Sequence, residues 1–413
     1  MTKAQIIDAA FRVWGRDFYR KTSLSQLARD LGVSKPALYR HFANKQALIS
    51  AMTERFFTDF ASSIKTDLEN ALPENDADKG IFSIISGISD FFARNVYALI
   101  FSLTNLYERN LDSDTITQRL KALGADMAVF QLVVNKKYTG DAKLIRLIFA
   151  SLTFLMSHFH KTKNSMQNQP AYAEIQAITG TICNTIKNGL GYHVTETALD
   201  FEKLEKQIDE ISKKLNAQSE PFFKAVAQAV AEAGPWDVSM EMVAKRLGLS
   251  KSSLYGHFKN RKDMLRRLFT TEFKRIIEFA RLGISLSTET EQQLYLGIFS
   301  IAGYLRSRPE ILIAMDWIRT RKLDLGKPEK SYEIFRLFED IDIEPARLKQ
   351  SGQNTEEEDA QLKQRMSHLI LFLIINILTN PNRENNITGV QVQNNDIRML
   401  YKFITLGLGG FIR

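Results

Sequence analysis

Cysteine is nearly missing from this chain. Cys183 is the single one in 413 residues, which excludes a disulfide framework and points to a reducing compartment. A thiol of this kind is expected to serve as a small buried hydrophobe in a helix. Long apolar runs are lacking too. The longest, Leu369 to Leu378, spans ten residues and includes Asn376, whereas a bilayer span needs about 20. It reads as a core helix, and no membrane partner is expected. Met1-Thr2-Lys3 leads straight into an amphipathic helix, so no secretory leader is expected and the cytoplasm is the expected location. Metal-ligand spacing is missing as well. His158 and His160 lie two apart, on divergent helix faces, and neither His41 nor His257 has a second ligand at i+4. Gly189-Leu190-Gly191 and Gly407-Leu408-Gly409 follow no strand and read as helix stops, not phosphate loops. Without a triad, a paired-carboxylate setting or a nucleotide loop, neither an enzyme nor a cofactor is expected.

What the chain does have, it has twice. Ser34-Lys35-Pro36-Ala37-Leu38-Tyr39-Arg40-His41-Phe42 returns as Ser250-Lys251-Ser252-Ser253-Leu254-Tyr255-Gly256-His257-Phe258, at an offset of 216. Over 22–48 against 238–264, 11 of 27 positions are identical without a gap. A period near half the chain length means two copies of a domain and not a solenoid, whose units run roughly 20–50 residues. In the first copy Ser23 has the position of an N-cap, with Gln26 three residues on. Leu24, Leu27, Ala28 and Leu31 form an apolar stripe, and Gly32 closes the helix in a left-handed turn. Ser34 is expected to cap the next helix, where Pro36 is tolerated because first-turn amides have no intrahelical partner. Two short helices about a Gly-containing turn make a helix-turn-helix. Charge follows the same repeat. Residues 16–46 carry seven basic and two acidic side chains and residues 238–267 eight and two, while the whole chain is +8. The remainder is therefore net negative, and the positive charge sits where a phosphate backbone would need it.

The combination Ala9-Ala10, Leu27-Ala28, Gly32-Val33-Ser34, Leu38-Tyr39, His41-Phe42 and Asn44-Lys45…Leu48 resembles the DNA-binding region of the tetracycline-repressor (TetR) family. The second copy shows the same pattern with Arg261 for Lys45. The resemblance covers roughly 50 residues in each half. It implies an all-α fold made as a tandem duplication, each unit having an N-terminal three-helix helix-turn-helix domain and a C-terminal helical effector and dimerisation domain. The expected boundaries are 1–46 and 47–194 for the first unit, 195–219 for a helical linker, and 220–262 and 263–413 for the second. The expected DNA-binding residues are Ser34, Lys35, Pro36, Ala37, Tyr39, Arg40 and Lys45, with Ser250, Lys251, Ser252, Ser253, Tyr255 and Arg261. Lys35, Lys45, Lys251 and Arg261 would meet phosphates through counterion release, and Arg40 is the candidate for bidentate guanine reading. Because Ser252, Ser253 and Gly256 replace Pro36, Ala37 and Arg40, the two copies should prefer different half-sites. Gly256 should also weaken its helix by about 1 kcal/mol relative to Ala.

Beyond the readers, apolar helical periods cover Ile81–Asn110, Ile116–Val134, Asp141–Lys161 and Ala171–Leu190. In the second half they cover Gln292–Arg321, Tyr332–Phe338, Asp359–Leu378 and Gln391–Phe411. The loop Lys349–Asp359 is polar and acidic. The linker places Phe201, Leu204, Ile208, Ile211 and Leu215 at 3-4-3-4 spacing, a seam for docking a helix of about 20 residues. In the family the last two helices of each subunit pack as a four-helix bundle, so here the resemblance implies an intrachain pseudo-dimer. Further pairing of whole chains remains compatible with it. The resulting expectation is a ligand-responsive transcriptional regulator, most simply a repressor, whose partners are a partly palindromic double-stranded DNA operator and a small apolar effector. Its recognition helices would lie roughly 34–36 Å apart. Phe82, Phe91, Phe92 and Phe101 are candidates for lining an effector pocket, as are Asp316, Trp317 and Arg319. The rival expectation is a small-molecule-binding or scaffolding helical protein in which one or both motifs are vestigial.

Overall fold

The computed structural model describes residues 2–16, 23–106, 113–139, 141–190, 199–215, 221–320, 338, 356–379 and 393–413. Among them the fold is all α, with one isolated antiparallel bridge between Tyr138 and Ile412. The first half comprises α1 (Lys3–Arg16), α2 (Leu24–Asp30), α3 (Lys35–Tyr39), α4 (Lys45–Ala71), α5 (Ala77–Arg94), α6 (Val96–Phe101), α7 (Ser113–Ala122), α8 (Ala128–Val134), α9 (Ala142–Lys163) and α10 (Tyr172–Asn188). Helix α11 (Phe201–Leu215) follows. The second half comprises α12 (Pro221–Asp237), α13 (Met240–Leu247), α14 (Lys251–His257), α15 (Arg261–Ile284), α16 (Thr290–Ser307), α17 (Pro309–Thr320), α18 (Glu356–Leu378) and α19 (Asn394–Leu406).

The chain forms two compact units that do not divide at the tandem boundary. One holds Met1–Ile145, Leu152–Asn184 and Phe411–Arg413, the other Arg146–Ser151 and Thr185–Gly410. The first unit is built around α4 and α5, whose buried faces bring together Phe56, Phe60, Ile64, Ile84, Ile88 and Phe91. In the second unit α15 packs on α16, and α11 lies against α16.

Three expected continuous helices are broken. The apolar period runs unbroken through Ile81–Asn110, yet the chain turns by 101° where α5 ends at Asn95 and α6 begins. The corresponding break falls at Arg308, between α16 and α17. There Pro309 supplies a local cause, because a residue preceding proline is pushed out of the helical region. Ile116–Val134 likewise divides into α7 and α8 across Gly124, which has φ +86°. The last period ends in a short 3₁₀ turn, Gly407–Phe411. Tyr332–Leu337 and Lys349–Thr355 lie outside the described residues. Helix α9 is long and apolar enough to cross a membrane by composition, and half of that stretch is buried in the protein.

Helix α11 is 15 residues long, shorter than the linker spacing suggested. Leu204 and Ile208 of its seam are buried, while the side chains of Ile211 and Leu215 lie outside the described residues. A carboxylate that the sequence offers as a solvated flank secures this helix. Glu205, 4% exposed, accepts from Arg398 Nε at 2.7 Å and Nη2 at 2.8 Å, from Tyr295 Oη at 2.6 Å and from Asn394 Nδ2 at 2.9 Å. Burial alone would raise its pKa, but the Arg398, Tyr295 and Asn394 donors overcome that and hold it below the ordinary glutamate range.

The apolar residues expected at the ends of the two halves are buried: Leu144, Leu147, Ile148, Ile182 and Ile186, and Ile370, Leu373, Ile397, Leu400 and Ile404. Within the second unit, α10 and α19 terminate against each other through glycines. Gly189 has φ +73° and Gly407 φ +56°. A Cβ on Gly407 would come 2.5 Å from the Gly189 nitrogen and the Ile186 carbonyl oxygen, and one on Gly189 would come 2.6 Å from the Ile404 carbonyl oxygen. The Leu190 amide donates to that same Ile404 carbonyl at 2.8 Å. These glycines end helices, as the sequence indicates, and they also let two backbones cross.

Candidate nucleic-acid interface and an adjoining cleft

Each reader is built by the same local rules. Ser23 Oγ accepts from the Gln26 amide at 3.1 Å to start α2, and Ser239 Oγ accepts from the Met242 amide at 3.2 Å to start α13. Gly32 and Gly248 then take φ +65° and +66°, with open space where a Cβ would stand. The left-handed backbone alone explains why glycine suits both places. The next residue returns its amide to the helix just ended, Val33 to the Ala28 carbonyl and Leu249 to the Ala244 carbonyl, each at 2.9 Å. Leu38 with Phe42, and Leu254 with Phe258, are buried beneath the second helix of each copy. Asn44 and Asn260 cap the long helices that follow, accepting from the Ala47 amide at 2.8 Å and the Asp263 amide at 2.9 Å.

This scaffold leaves a defined face outward. In the first copy Ser34, Lys35, Pro36, Tyr39 and Arg40 are exposed, and Ala37 and Lys45 are half-buried. Lys35 Nζ stands 5.9 Å from the centre of the Tyr39 ring, and Lys45 Nζ 5.7 Å from that of Trp14. In the second copy Ser250, Lys251, Ser252, Ser253, Tyr255 and Arg261 are all exposed.

The copies differ from expectation in two respects. Ser34 makes no side-chain cap, and the Ala37 amide donates instead to the Ser34 backbone carbonyl at 3.0 Å. Ser250 does cap its helix, accepting from the Ser253 amide at 3.0 Å. Its hydroxyl also lies 2.8 Å from that of Ser252 and 2.9 Å from that of Ser253, so the three serines satisfy one another before meeting a base. Helix α14 runs through Gly256 for 7 residues, whereas α3 has 5. A capped first turn of this kind offsets the helix cost of glycine.

Helix α1 ties the first reader to its body. Its Phe11 ring meets Phe101 at 5.1 Å, and a Cβ on Gly15 would come 2.7 Å from the Tyr97 ring. Beside this contact opens a cleft of about 670 Å³, within the usual range of small-ligand sites. Phe11, Phe56 and Phe91 give it an aromatic surface, Asn95, Tyr97 and Gln167 a polar edge, and Asp8 and Arg12 belong to α1 itself. His160 also lines it. The ring Nε2 lies 2.8 Å from the Phe92 carbonyl and so carries the proton, and burial pushes the histidine pKa down. Of the phenylalanines singled out in the sequence, Phe91 lines the cleft and Phe101 is buried beside Phe56. Asp316 is wholly buried in α17, and the side chains of Trp317 and Arg319 lie outside the described residues. No cluster of three metal-ligating side chains occurs among the described residues. Cys183 is half-buried, with its sulfur 3.7 Å from Ser86 Oγ.

The family model described as bacterial regulatory proteins, tetR family, matches residues 6–52 and again 223–268. Among curated proteins, the HTH-type transcriptional repressor ComR of Escherichia coli (strain K12) is 26% identical over 138 residues, which is 33% of this chain. The chain spans 65% of the length of that relative. Among solved structures, the TetR family transcriptional regulator PfmR from Thermus thermophilus is 14% identical. The match covers 45% of this chain and 95% of that one at a TM-score of 0.30, a likeness too low to carry an argument. The family's reader is matched once in each copy of the internal repeat, so the chain carries two tetR-type DNA-binding regions in tandem.

Proposed function

We propose that the chain is a ligand-responsive transcriptional repressor that grips one partly palindromic operator with both of its readers. The observation that carries this reading is the pair of exposed faces on matching scaffolds, one presenting Pro36, Ala37 and Arg40 and the other Ser252, Ser253 and Gly256. Matching scaffolds suit half-sites read in the same manner, and different side chains suit half-sites of different sequence. Arg40 has the reach for guanine, while a glycine at the equivalent place leaves that base unread. The Gly189–Gly407 crossing supports a single-chain pseudo-dimer, because it joins the ends of the last helices of the two halves. The name of the curated relative supports repression.

The cleft supports ligand response, since a molecule held there would touch α1, α4 and α6 together and so favour one setting of the reader over another. Such a regulator acts in the cytoplasm, where its operator is, and needs no catalysis. Selection of bound sequences from random DNA, followed by gel-shift titration at several salt concentrations, tests the reading. The expected result is two unlike half-sites with centres about one helical turn apart. The log–log salt slope should be steep and should shallow by about one unit in Lys45→Ala. A slope near zero refutes DNA binding, and two identical half-sites refute the division of reading between the copies.

A further inference from the structure

The bend between α5 and α6 recurs between α16 and α17 at an offset of 213, and the long helices before them, α4 and α15, correspond at 216. A packing pair checks this register. Gly87 lies against Asp67 as Ser300 lies against Gly283, which obeys both offsets at once. In this register five residues around the cleft, Phe56, Asp59, Phe91, Asn95 and Tyr97, correspond to Glu272, Arg275, Tyr304, Arg308 and Glu310.

The second set is bonded to itself. Glu272 Oε2 accepts from Tyr304 Oη at 2.5 Å and lies 3.2 Å from Arg308 Nη1, and Glu272 Oε1 lies 3.7 Å from Arg275 Nη1. Arg308 Nη1 donates to Tyr304 Oη at 3.0 Å, and its Nε is 3.7 Å from Glu310. Glu272 has no exposed surface, and Arg308 is 7% exposed. Where the first copy has Phe56 and Phe91 rings set edge to face at 6.4 Å, the second has a buried, cross-linked ion cluster. A ligand entering there would strand a buried charge, and stranded charges are strongly disfavoured.

We infer that the chain senses at this place with its first copy only, that the cleft takes a neutral, ring-bearing small molecule, and that Glu272 and Arg308 close the equivalent place in the second copy. This inference rests on the ligand-responsive reading above. Neutrality follows from the charges at the edge. Arg55 is engaged by both Asp59 and Asp8, and Arg94 by Asp90, so most of the local charge is already matched. The rings of Phe11, Phe56 and Phe91 favour stacking with another ring.

The test is fluorescence titration of the full chain with N-phenylnaphthylamine, and with its sulfonated analogue, anilinonaphthalene sulfonate. The expected outcome is saturation at one neutral probe per chain, at least tenfold tighter than the sulfonate. Ala98→Trp, which sets an indole among the lining residues, should abolish it while leaving the thermal melt cooperative. The fourfold exchange Glu272→Phe, Arg275→Asp, Tyr304→Phe and Arg308→Asn copies the first-half set and should add a second equivalent. If that variant does not fold, the wild-type stoichiometry and Ala98→Trp still decide. Two equivalents on the wild type, tighter binding of the sulfonate, no binding, or binding that survives Ala98→Trp would each overturn the inference. A gel shift on the wild type separates the two readings. A wild type that binds one probe but shows no salt-dependent DNA affinity, with or without it, sinks the regulator and leaves the cleft assignment standing.

Discussion

Replacing Gly407 by alanine is the sharpest perturbation this fold offers. The backbone there has φ +56° and ψ −139°, outside the left-handed helical well, and holding an L residue in so sparsely populated a region costs on the order of 1–3 kcal/mol. The added methyl would stand 2.5 Å from two backbone atoms of the crossing helix end, the Gly189 nitrogen and the Ile186 carbonyl oxygen. Neither is the tip of a flexible side chain, so the helix ends must separate. Separation loosens the 2.8 Å bond from the Leu190 amide to the Ile404 carbonyl, worth about 1 kcal/mol net. The expected loss is therefore about 3 kcal/mol, at the upper end for a single substitution. Gly409→Ala, two residues away, is the control. Its φ lies outside the left-handed region and the space at its Cβ is open, so it should fall within about 0.5 kcal/mol of wild type, as substitutions away from such features do. Urea unfolding followed by far-ultraviolet circular dichroism reads both. If Gly407→Ala falls within about 1 kcal/mol of the control, the close crossing of α10 and α19 is wrong.

Three other outcomes follow from single sites. Gly256 is exposed with open space around its Cβ, so Gly256→Arg should stabilise α14 by up to about 1 kcal/mol and move the selected operator toward two matching half-sites. Glu205→Ala leaves Arg398 and Tyr295 without their buried carboxylate and should cost about 3–5 kcal/mol by thermal or urea unfolding. His160 has its pKa lowered below the ordinary 6.5 by burial, so the unfolded chain binds protons more readily at acid pH. Its contribution is present above that value and is lost as pH falls through it. Acidification from about pH 7 to pH 5 should thus lower the melting temperature of wild type more than that of His160→Gln. Equal pH dependence of the two would remove His160 from the account.

The readers were legible because the rules that build them are local. Ser23, Gly32, Asn44 and their repeats each act within about four residues, and a turn glycine or an N-cap leaves its mark in the sequence itself. Ser34 is the local exception. A serine in the right place can still leave the first amide to a backbone carbonyl, as it does at Ala37. The bodies were harder to read because their decisive contacts are not local. Nothing near Asn95 announces a 101° bend, since the apolar period continues across it. Pro309 carried such a signal, but only in the second copy. Nothing in the local sequence marks Glu205 or Glu272 as buried, and each is bonded by a distant partner, Glu272 by Tyr304 32 residues on and Glu205 by Arg398 193 residues on. Gly407 could be recognised as a helix end but not as half of a backbone crossing.

The differences between the copies share one physical origin. In a homodimer every substitution appears on both subunits, so a change that fills one cleft fills both, and a change that silences one reader silences both. Fusing the two copies removes that constraint. If the halves pair as proposed, fusion also replaces a concentration-dependent encounter by an intramolecular one, and that pairing no longer requires identical surfaces. Phe56 against Glu272, Asn95 against Arg308 and Arg40 against Gly256 are then permitted departures. The scaffold residues that hold each reader in shape, Gly32 with Gly248 and Leu38 with Leu254, keep both identity and geometry. What diverges lies at the proposed cleft and on the proposed reading face, and what persists is what sets the backbone. If sensing and part of the base reading were concentrated in the first copy, single substitutions there would alter response and specificity, while equivalent substitutions in the second would register mainly as changes in stability.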